Sequence, residues 1–205
     1  MKEGYVDNRF ASLYYKEMGQ GMPLIMLHGN GESHEIFARL SELMSRYYRV
    51  ILMDSRGHGS SLMKEEAAGG DLTIPDMAAD VVQVMEFLHV PRAVILGFSD
   101  GANVALETAS CYPGRVSAVV AVSGNALPRG MSAASLMEVK IKYALWRGLE
   151  KVPLPRGVRE RAVKSRQLLG LMARWPRLDK EKLSCIQAPV LILTGRRDMI
   201  RPRHS

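Results

Sequence analysis

Short apolar runs recur along this chain, separated by longer stretches in which apolar and polar residues are mixed. The runs are rich in Val, Ile, Leu and Met and are nearly continuous in apolarity. Such runs are typical of strands that helices cover on both faces of a parallel sheet. The pattern predicts five strands, at residues 23–27, 49–53, 93–97, 116–123 and 190–194.

The mixed stretches repeat apolar residues at helical spacing. Residues 34–46 would turn one helical face toward the core, formed by Ile36, Leu40, Leu43 and Met44. Residues 75–88 begin with a proline, which suits a helix start, and residues 101–112 precede a Pro-Gly stop. Alternating strands and helices predict an α/β fold, with a mostly parallel, twisted sheet and helices on both faces. Residues 11–18 are a candidate for one of a pair of antiparallel edge strands ahead of it.

The alternation breaks between residues 128 and 183, where the pattern is helical and basic and is interrupted by Pro153 and Pro155. Because this segment lies between two predicted strands, we interpret it as a small helical insertion, hereafter the lid, and not as a separate domain. Residues 1–127 then form the first part of the core. Residues 184–205 contribute its last strand and the loop that follows it.

The composition is that of an ordinary globular protein, with 205 residues, 47% of them apolar, enough for one domain with a core. No apolar run approaches the ~18 residues of a membrane helix. The N-terminus lacks the apolar segment of a signal peptide, so a cytoplasmic location is expected. The two cysteines, Cys111 and Cys185, are predicted to be reduced and mostly buried thiols without a metal site.

The net charge of +7 is concentrated between Arg129 and Arg177, where basic residues are dense. A basic segment can indicate contact with nucleic acid or with a membrane surface. No motif with base-stacking aromatic residues accompanies it, so we interpret it as a solvated face of the lid helices. We therefore expect a monomer or homodimer that binds neither nucleic acid nor membrane.

The strongest chemical signal is the sequence Gly97-Phe98-Ser99-Asp100-Gly101, which lies directly between a predicted strand and a predicted helix. This context is the one that a nucleophile elbow requires. The glycines allow a turn too tight for side chains, and the helix N-terminus favours negative charge near Ser99. Ser99 is therefore predicted to be a catalytic nucleophile.

A second motif, His28-Gly29-Asn30-Gly31, follows the first predicted parallel strand. A turn of this kind can supply a backbone N–H to an oxyanion hole. We assign the amides of Asn30 and Asp100 as the two oxyanion donors. His28 is interpreted as a structural residue of the turn and not as a base.

A third motif, Asp54-Ser-Arg-Gly-His-Gly-Ser-Ser61, follows the second predicted strand. Together the three motifs resemble the α/β-hydrolase superfamily, in which a D-x-R-G-x-G-x-S loop is common, and the resemblance runs from about Pro23 to Ser205. Within this loop, Asp54, Arg56 and His58 are interpreted as structural. The resemblance implies a serine hydrolase that cleaves a small carboxylic ester, thioester, lactone or amide through an acyl-enzyme, without metal or organic cofactor.

The resemblance also indicates the acid of a catalytic triad. Members of the superfamily place it in a G-x-x-D loop a few residues past the last strand of this pattern, and Gly195 and Asp198 fit that spacing. A carboxylate there would hold an imidazole in the required tautomer and stabilise its cation. Asp198 is therefore predicted to be catalytic.

The triad histidine of this superfamily follows the acid, after a further helix and strand. Seven residues follow Asp198, and the one histidine among them, His204, lies where the superfamily begins a helix. The chain is therefore expected to be truncated, with the final helix and strand of the fold missing. A natural pseudo-hydrolase that only binds or scaffolds is the alternative.

The residue after Ser99 bears on the substrate. Gly-Phe-Ser-Asp-Gly resembles a variant found in hydrolases related to valacyclovir hydrolase, which act on amino-acid esters. The predicted substrate site therefore includes Asp100 and Gly29. The Asp100 carboxylate would attract an amine of the substrate, or, with equal weight, it would only stabilise the helix N-terminus. A lyase or perhydrolase could use the same residues.

The lid offers candidates either for lining the pocket or for packing: Met131, Leu136, Met137 and Trp146.

Overall fold

A computed structural model describes residues 1–195, 198 and 200 of the chain. Its strands form one eight-stranded sheet. The strands are β1 (Lys2–Asp7), β2 (Ala11–Met18), β3 (Met22–Leu27), β4 (Tyr48–Met53), β5 (Leu62–Met63), β6 (Ala93–Phe98), β7 (Val116–Val122) and β8 (Val190–Leu193). All five strands predicted from the apolar runs are present, and each bound differs by at most one residue.

The strand order in the sheet is β1-β2-β4-β3-β6-β7-β8, with β5 paired to the side of β2. The pairings in the part of the sheet ordered β4-β3-β6-β7-β8 are all parallel. The pairings of β1 with β2 and of β2 with β4 are antiparallel. The predicted edge strand is therefore confirmed as β2, and its partner β1 lies at the sheet edge. In a parallel sheet all these strands end at one edge, so the loops after β3, β4, β6 and β8 share one side of the molecule.

Seven α-helices accompany the sheet in the described residues: α1 (Ala38–Met44), α2 (Glu65–Ala68), α3 (Ile74–Phe87), α4 (Asp100–Cys111), α5 (Ala133–Leu149), α6 (Arg156–Arg174) and α7 (Lys180–Ser184). Alternate residues of the central strands point to opposite faces. On one face they pack with α3 and α4 in a large apolar cluster, and on the other they pack with α1. The predicted arrangement, a mostly parallel sheet with helices on both faces, is confirmed.

The first predicted helix is wrong in detail. It begins as a 3-10 turn, His34–Phe37, capped by the Ser33 hydroxyl, and only then continues as α1. The change of helical winding alters the buried face, so Phe37 is 6% exposed while Ile36 is 43% exposed and Leu43 is 46% exposed. The prediction of buried thiols is also wrong, because both cysteines are exposed and free.

The last strand of the sheet is not covered as the apolar pattern predicted. All four side chains of β8 are between 38% and 54% exposed. In the described part of the chain, β8 pairs only with β7, and its other edge has no strand beside it. Next to it lies an apolar cavity of about 290 Å³, lined in part by Leu106, Ala121, Ile186 and Ile192.

The lid contributes three helices, α5, α6 and α7, between β7 and β8. An apolar cluster, hereafter the lid cluster, joins Met131, Val139 and Ala173 of the lid to Ile200, which follows β8. Polar contacts fasten α6 to the loop after α2: the Arg166 guanidinium pairs with Asp71 and donates to Gly69 O at 2.8 Å. Within the described residues, no helix is both long enough and apolar enough to cross a membrane.

Candidate active site

The nucleophile candidate Ser99 lies at the junction of β6 and α4, with φ 53° and ψ −118°. A non-glycine residue in this region stores about 1–3 kcal/mol of strain. The flanking glycines make the turn possible. A Cβ at Gly97 would overlap the carbonyl group of Gly101, and a Cβ at Gly101 would overlap the carbonyl oxygen of Leu27. The Ser99 amide donates to Val122 O at 2.8 Å, which fixes the turn against β7.

The turn after β3 lies directly against this serine. A Cβ on Gly29 would come within 3.1 Å of the Ser99 Cβ, so the absence of a side chain keeps the space beside the hydroxyl open. The Gly29 amide is occupied, because it donates to Glu32 Oε2 at 2.9 Å. Of the residues in the predicted substrate site, Gly29 can therefore offer space but not its amide.

Two amides near Ser99 have no acceptor among the described residues: Asp100 follows Ser99 in the chain, and Asn30 follows Gly29, which lies against Ser99. In the described part of the chain, neither Asn30 N nor Asp100 N donates a hydrogen bond. Asp100 opens α4, where the partial positive charge of the helix N-terminus adds to its donor strength. Two such amides beside a serine can stabilise a developing oxyanion. The Asn30 side chain is used otherwise, donating to the lid at Leu168 O, 2.8 Å away.

The Asp100 carboxylate is buried, and only one of its two oxygens is hydrogen-bonded among the described residues. Its Oδ1 accepts from Asn103 Nδ2 at 3.0 Å, whereas its Oδ2 is buried and has no partner among the described residues. Burial raises the pKa of Asp100 to about 6, although the side-chain amide groups of Asn103 and Asn30 favour the ionised form. Near neutral pH, the group therefore places a poorly compensated negative charge next to the nucleophile.

Sequence patterns missed the residues that hold Asp100. Asn103 is fully buried in α4, and its side chain also donates to Asn125 Oδ1 at 3.1 Å. Its own Oδ1 accepts from the Asn125 amide at 2.8 Å. The available signal was a lone asparagine in the apolar part of a helix, because a buried amide needs hydrogen-bond partners.

Three of the four described histidines serve other contacts, and Ser99 Oγ makes no hydrogen bond within the described residues. His28 accepts from the Ser55 amide at Nε2, 3.1 Å away, so its Nδ1 carries the proton and donates to Gly29 O at 2.7 Å. Burial lowers its pKa. His34 directs Nδ1 to Asp54 Oδ1 at 3.0 Å. Neither ring is oriented as a base for Ser99.

The other two described histidines lie apart from this arrangement. His58 Nδ1 lies 3.0 Å from Arg56 O, its Nε2 is buried without a partner among the described residues, and burial lowers its pKa to about 4. His89 precedes β6, so the six residues of that strand separate it from Ser99 by roughly 20 Å. His204 lies outside the described residues.

Asp198 follows β8, two strands away from the end of β6 and at the same edge of the sheet. It is half-buried, and its Oδ1 accepts from the Ile200 amide at 3.1 Å. The sheet thus brings Ser99, Gly29, Asn30 and Asp100 together, while Asp198 lies further along the same edge. No group of three or more His, Cys, Asp or Glu side chains is placed to bind a metal ion in the part of the chain that is described.

The loop after β4 is structural, as interpreted from the sequence. Asp54 is fully buried and accepts from the amides of His34 at 2.6 Å and Ser60 at 2.8 Å. Arg56 forms a two-point ion pair with Asp80 of α3, at 2.6 Å and 2.7 Å. These contacts fasten the loop to the sheet and to α3 and occupy the side chains of Asp54 and Arg56.

The lid residues proposed as pocket lining or packing divide into two groups. Met131 is buried in the lid cluster and Leu136 packs against it, while Trp146 is half-buried. Met137, by contrast, is 60% exposed and does neither.

Comparison with known proteins places these observations in a family. A family model described as the alpha/beta hydrolase fold matches residues 22–150. A relative from Bacillus subtilis, the AB hydrolase superfamily protein YisY, is 29% identical over 218 residues, covering 93% of this chain and 80% of that protein.

Two further proteins widen the comparison. The pimeloyl-[acyl-carrier protein] methyl ester esterase of Chromobacterium violaceum is 31% identical over 113 residues, which cover 55% of this chain and 41% of the esterase. The carboxylesterase CesB of Bacillus subtilis has the same fold, with a TM-score of 0.75 at 20% identity over 98% of this chain and 76% of that one. The matched region covers less than half the length of several curated relatives.

Proposed function

Because this chain belongs to the alpha/beta hydrolase fold family, we propose that it is a serine hydrolase that cleaves a small carboxylic ester, or a thioester, lactone or amide. The observation that carries the proposal is the strained turn at Ser99, which lies against Gly29, with the amides of Asn30 and Asp100 unused among the described residues. The name of the methyl ester esterase among its relatives supports an ester substrate.

In the proposed reaction, Ser99 Oγ attacks the carbonyl carbon of the ester while its proton passes to an imidazole base. The amides of Asn30 and Asp100 bind the oxyanion of the tetrahedral intermediate. The intermediate collapses to an acyl-enzyme and releases the alcohol, which takes up the proton. Water then attacks the acyl group, with the same base accepting its proton, and the acid leaves.

We assign the base to none of the four described histidines: His28 and His34 use ring nitrogens in other hydrogen bonds. Burial lowers the pKa of His58 to about 4, and His89 is separated from Ser99 by the whole of β6. Asp198 is proposed to orient the imidazole that supplies this function. Removal of a triad base lowers turnover steeply but leaves the oxyanion donors and the nucleophile in place. Dissolved imidazole can then act in its place.

The first experiment compares Ser99→Ala with the parent chain on p-nitrophenyl butyrate, with and without added imidazole. Because nucleophile and base act as a unit, the difference should appear with imidazole present, where the parent rate should exceed that of Ser99→Ala by about tenfold or more. Ser123→Ala is the matched control, since Ser123 also has a positive φ of 56° at the end of the neighbouring strand. An active preparation that keeps its rate after the Ser99 change would refute the nucleophile assignment.

A second candidate follows from the observation that Ser99 Oγ has no hydrogen-bonded base among the described residues. In this alternative the protein binds acyl compounds without turning them over. It predicts that butyrate esters bind, as measured by calorimetry, while imidazole fails to produce turnover. Fluorophosphonate labelling of Ser99 would argue against it.

For the substrate, we propose that Asp100 attracts an amine. Its Oδ2 is buried without a partner among the described residues, so a substrate ammonium would not touch this oxygen but would be attracted by its charge across the intervening low-dielectric protein. Asp100→Asn keeps the size of the side chain and removes the charge. It should lower kcat/KM for an α-amino ester at least tenfold more than for the neutral ester of the same length, and equal losses would eliminate the amine.

A further inference from the structure

Helix α5 of the lid presents an apolar stripe to solvent. Met137, Ile141 and Leu145 are spaced four residues apart, so they lie on one face of the helix. Their side chains are 60%, 54% and 67% exposed. The opposite face holds the buried Val139, which packs in the lid cluster. The helix is therefore apolar on two sides, and only the inner side has a partner among the described residues.

Exposed side chains of this size and order are unusual on a helix that already buries its inner face. Single exposed apolar residues need no explanation, but a contiguous group marks a contact surface. Two further exposed valines follow in the sequence, Val152 after α5 at 52% and Val158 in α6 at 43%. Exposures above half show that these side chains stand clear of neighbouring elements in the described part of the chain.

The charge around the stripe is strongly positive. Residues 128–183 contain 14 basic and 5 acidic residues, a net charge of +9, while the rest of the chain has a net charge of −2. Lys140 and Arg147 flank the stripe on one side, and Lys142 lies on the other, paired with Glu138 at 2.5 Å. Lys140 and Arg147 pair with no acidic side chain among the described residues. The positive charge thus surrounds the exposed apolar residues.

We propose that this face of the lid docks on the surface of an anionic lipid bilayer. The stripe would enter the boundary between headgroups and acyl chains, and the flanking lysine and arginine would reach the phosphates of the headgroups. Their aliphatic stems allow such side chains to lie along an apolar surface while the charge stays in the polar layer. A bilayer accepts a convex helix, whereas a peptide ligand needs a groove or a sheet edge.

Composition alone favoured a merely solvated face for the basic residues of the lid, and docking on a bilayer replaces that interpretation. Periodicity alone cannot distinguish an exposed apolar residue from a packed one. Met137, Ile141 and Leu145 have the spacing of core residues, and only their exposure separates them from Val139. Docking of the lid is independent of the proposed chemistry at Ser99.

The test is co-sedimentation of the full chain with vesicles of phosphatidylcholine alone and of phosphatidylcholine with one quarter phosphatidylglycerol, at low salt. Binding should require the anionic lipid. The triple change Met137→Ser, Ile141→Ser and Leu145→Ser should lower the partition coefficient at least tenfold. The matched control replaces three exposed apolar residues of another surface, Ile36, Leu43 and Tyr47, and should change binding less than twofold.

A second arm tests the charge. Lys140→Gln with Arg147→Gln should lower binding about thirtyfold, since each basic residue near an anionic surface contributes about 1 kcal/mol. Arg39→Gln with Arg46→Gln is the control of equal charge. Absence of binding to anionic vesicles, or equal losses in both pairs, would overturn the proposal. Binding of polyglutamate that ignores the apolar change would assign the face to an acidic polypeptide instead.

Discussion

The geometry at Ser99 depends on two neighbouring positions that have no room for a side chain. At Gly97, a Cβ would overlap the backbone of α4, which cannot move without shifting the helix. We therefore expect Gly97→Ala to lower the free energy of unfolding by about 3 kcal/mol or more. Urea unfolding followed by circular dichroism measures this change.

The control for this change is another glycine-to-alanine substitution. Gly157 lies in α6, where a Cβ would meet nothing within 4 Å. Since alanine has the higher helix propensity, Gly157→Ala should raise stability by about 0.5 kcal/mol. Similar losses at both positions would mean that the turn at Ser99 is not the constraint.

The buried ring of His58 predicts a dependence of stability on pH. Its pKa is about 4 in the folded chain, lowered by burial from the ordinary value of 6.5. Between these pH values the unfolded chain binds more protons than the folded chain. The free energy of unfolding is therefore highest above pH 6.5 and falls as the pH drops toward 4. His58→Phe should remove part of this loss, on the order of 3 kcal/mol at most. Unfolding at pH 7.5, 6 and 4.5 tests it.

His89→Asn serves as the control, because His89 is exposed and asparagine tolerates its φ of 54°. The pH profile of this variant should follow that of the parent chain. A parallel shift of the His58→Phe profile, without a change of slope, would contradict the assignment.

Individual residues were predictable from the sequence where the backbone fixes them. Gly97 and Gly101 belong to a turn whose sterics are local, and their spacing around Ser99 was sufficient to predict it. Asn103 and Leu168 were not predictable, because their contacts with Asp100 and Asn30 depend on where other elements lie. Leu168 of the lid, which contacts Asn30, lies 138 residues from it along the chain.

At the scale of elements, a buried ion pair joins the loop after β4 to α3. Arg56 is 7% exposed and Asp80 is fully buried, and Asn8 Nδ2 also donates to Asp80 at 2.8 Å. Arg56→Met would leave a buried carboxylate without its cation, which costs about 3–5 kcal/mol. We expect the loss at pH 7 to shrink at pH 5, because burial raises the pKa of Asp80 and protonation removes the charge.

An exposed pair provides the comparison. Arg156 and Glu160 form an i,i+4 pair at 2.9 Å on the surface of α6, with Arg156 94% exposed. Arg156→Met should cost less than about 0.5 kcal/mol. In the double variant Arg56→Met with Asp80→Leu, stability should recover toward the parent value, and a loss larger than that of Arg56→Met alone would refute the buried-charge explanation.

Element types were largely predictable, but their surroundings were not. The five apolar runs identified five strands because continuous apolarity is itself the local signal. The same signal could not show that β8 is exposed, since Val190–Leu193 has the composition of the buried β3. The first helix failed for a different reason, because a 3-10 turn shifts the helical phase and moves Ile36 out of the core.

At the scale of the whole molecule, charge and apolar exposure are unevenly distributed. The lid holds the entire positive excess, and the remainder of the chain is slightly acidic. The antiparallel strands β1 and β2 form one end of the sheet, and the exposed apolar strand β8 forms the other. The described residues thus present two different surfaces for contact, one positive and apolar on the lid, and one apolar along β8, which has no strand beside it among them.

The apolar end of the sheet predicts self-association of this 205-residue chain. A strand edge with unpaired backbone groups and exposed apolar side chains is a template for pairing with another copy. Ile192 is 48% exposed in β8, and a lysine there would place a charge on that surface. Sedimentation velocity should show oligomers of the parent chain at micromolar concentration and mainly monomer for Ile192→Lys. Leu62→Lys, at a 63% exposed position of the two-residue strand β5, should leave the oligomers unchanged. If both lysines dissociate them equally, net charge and not the β8 edge controls association.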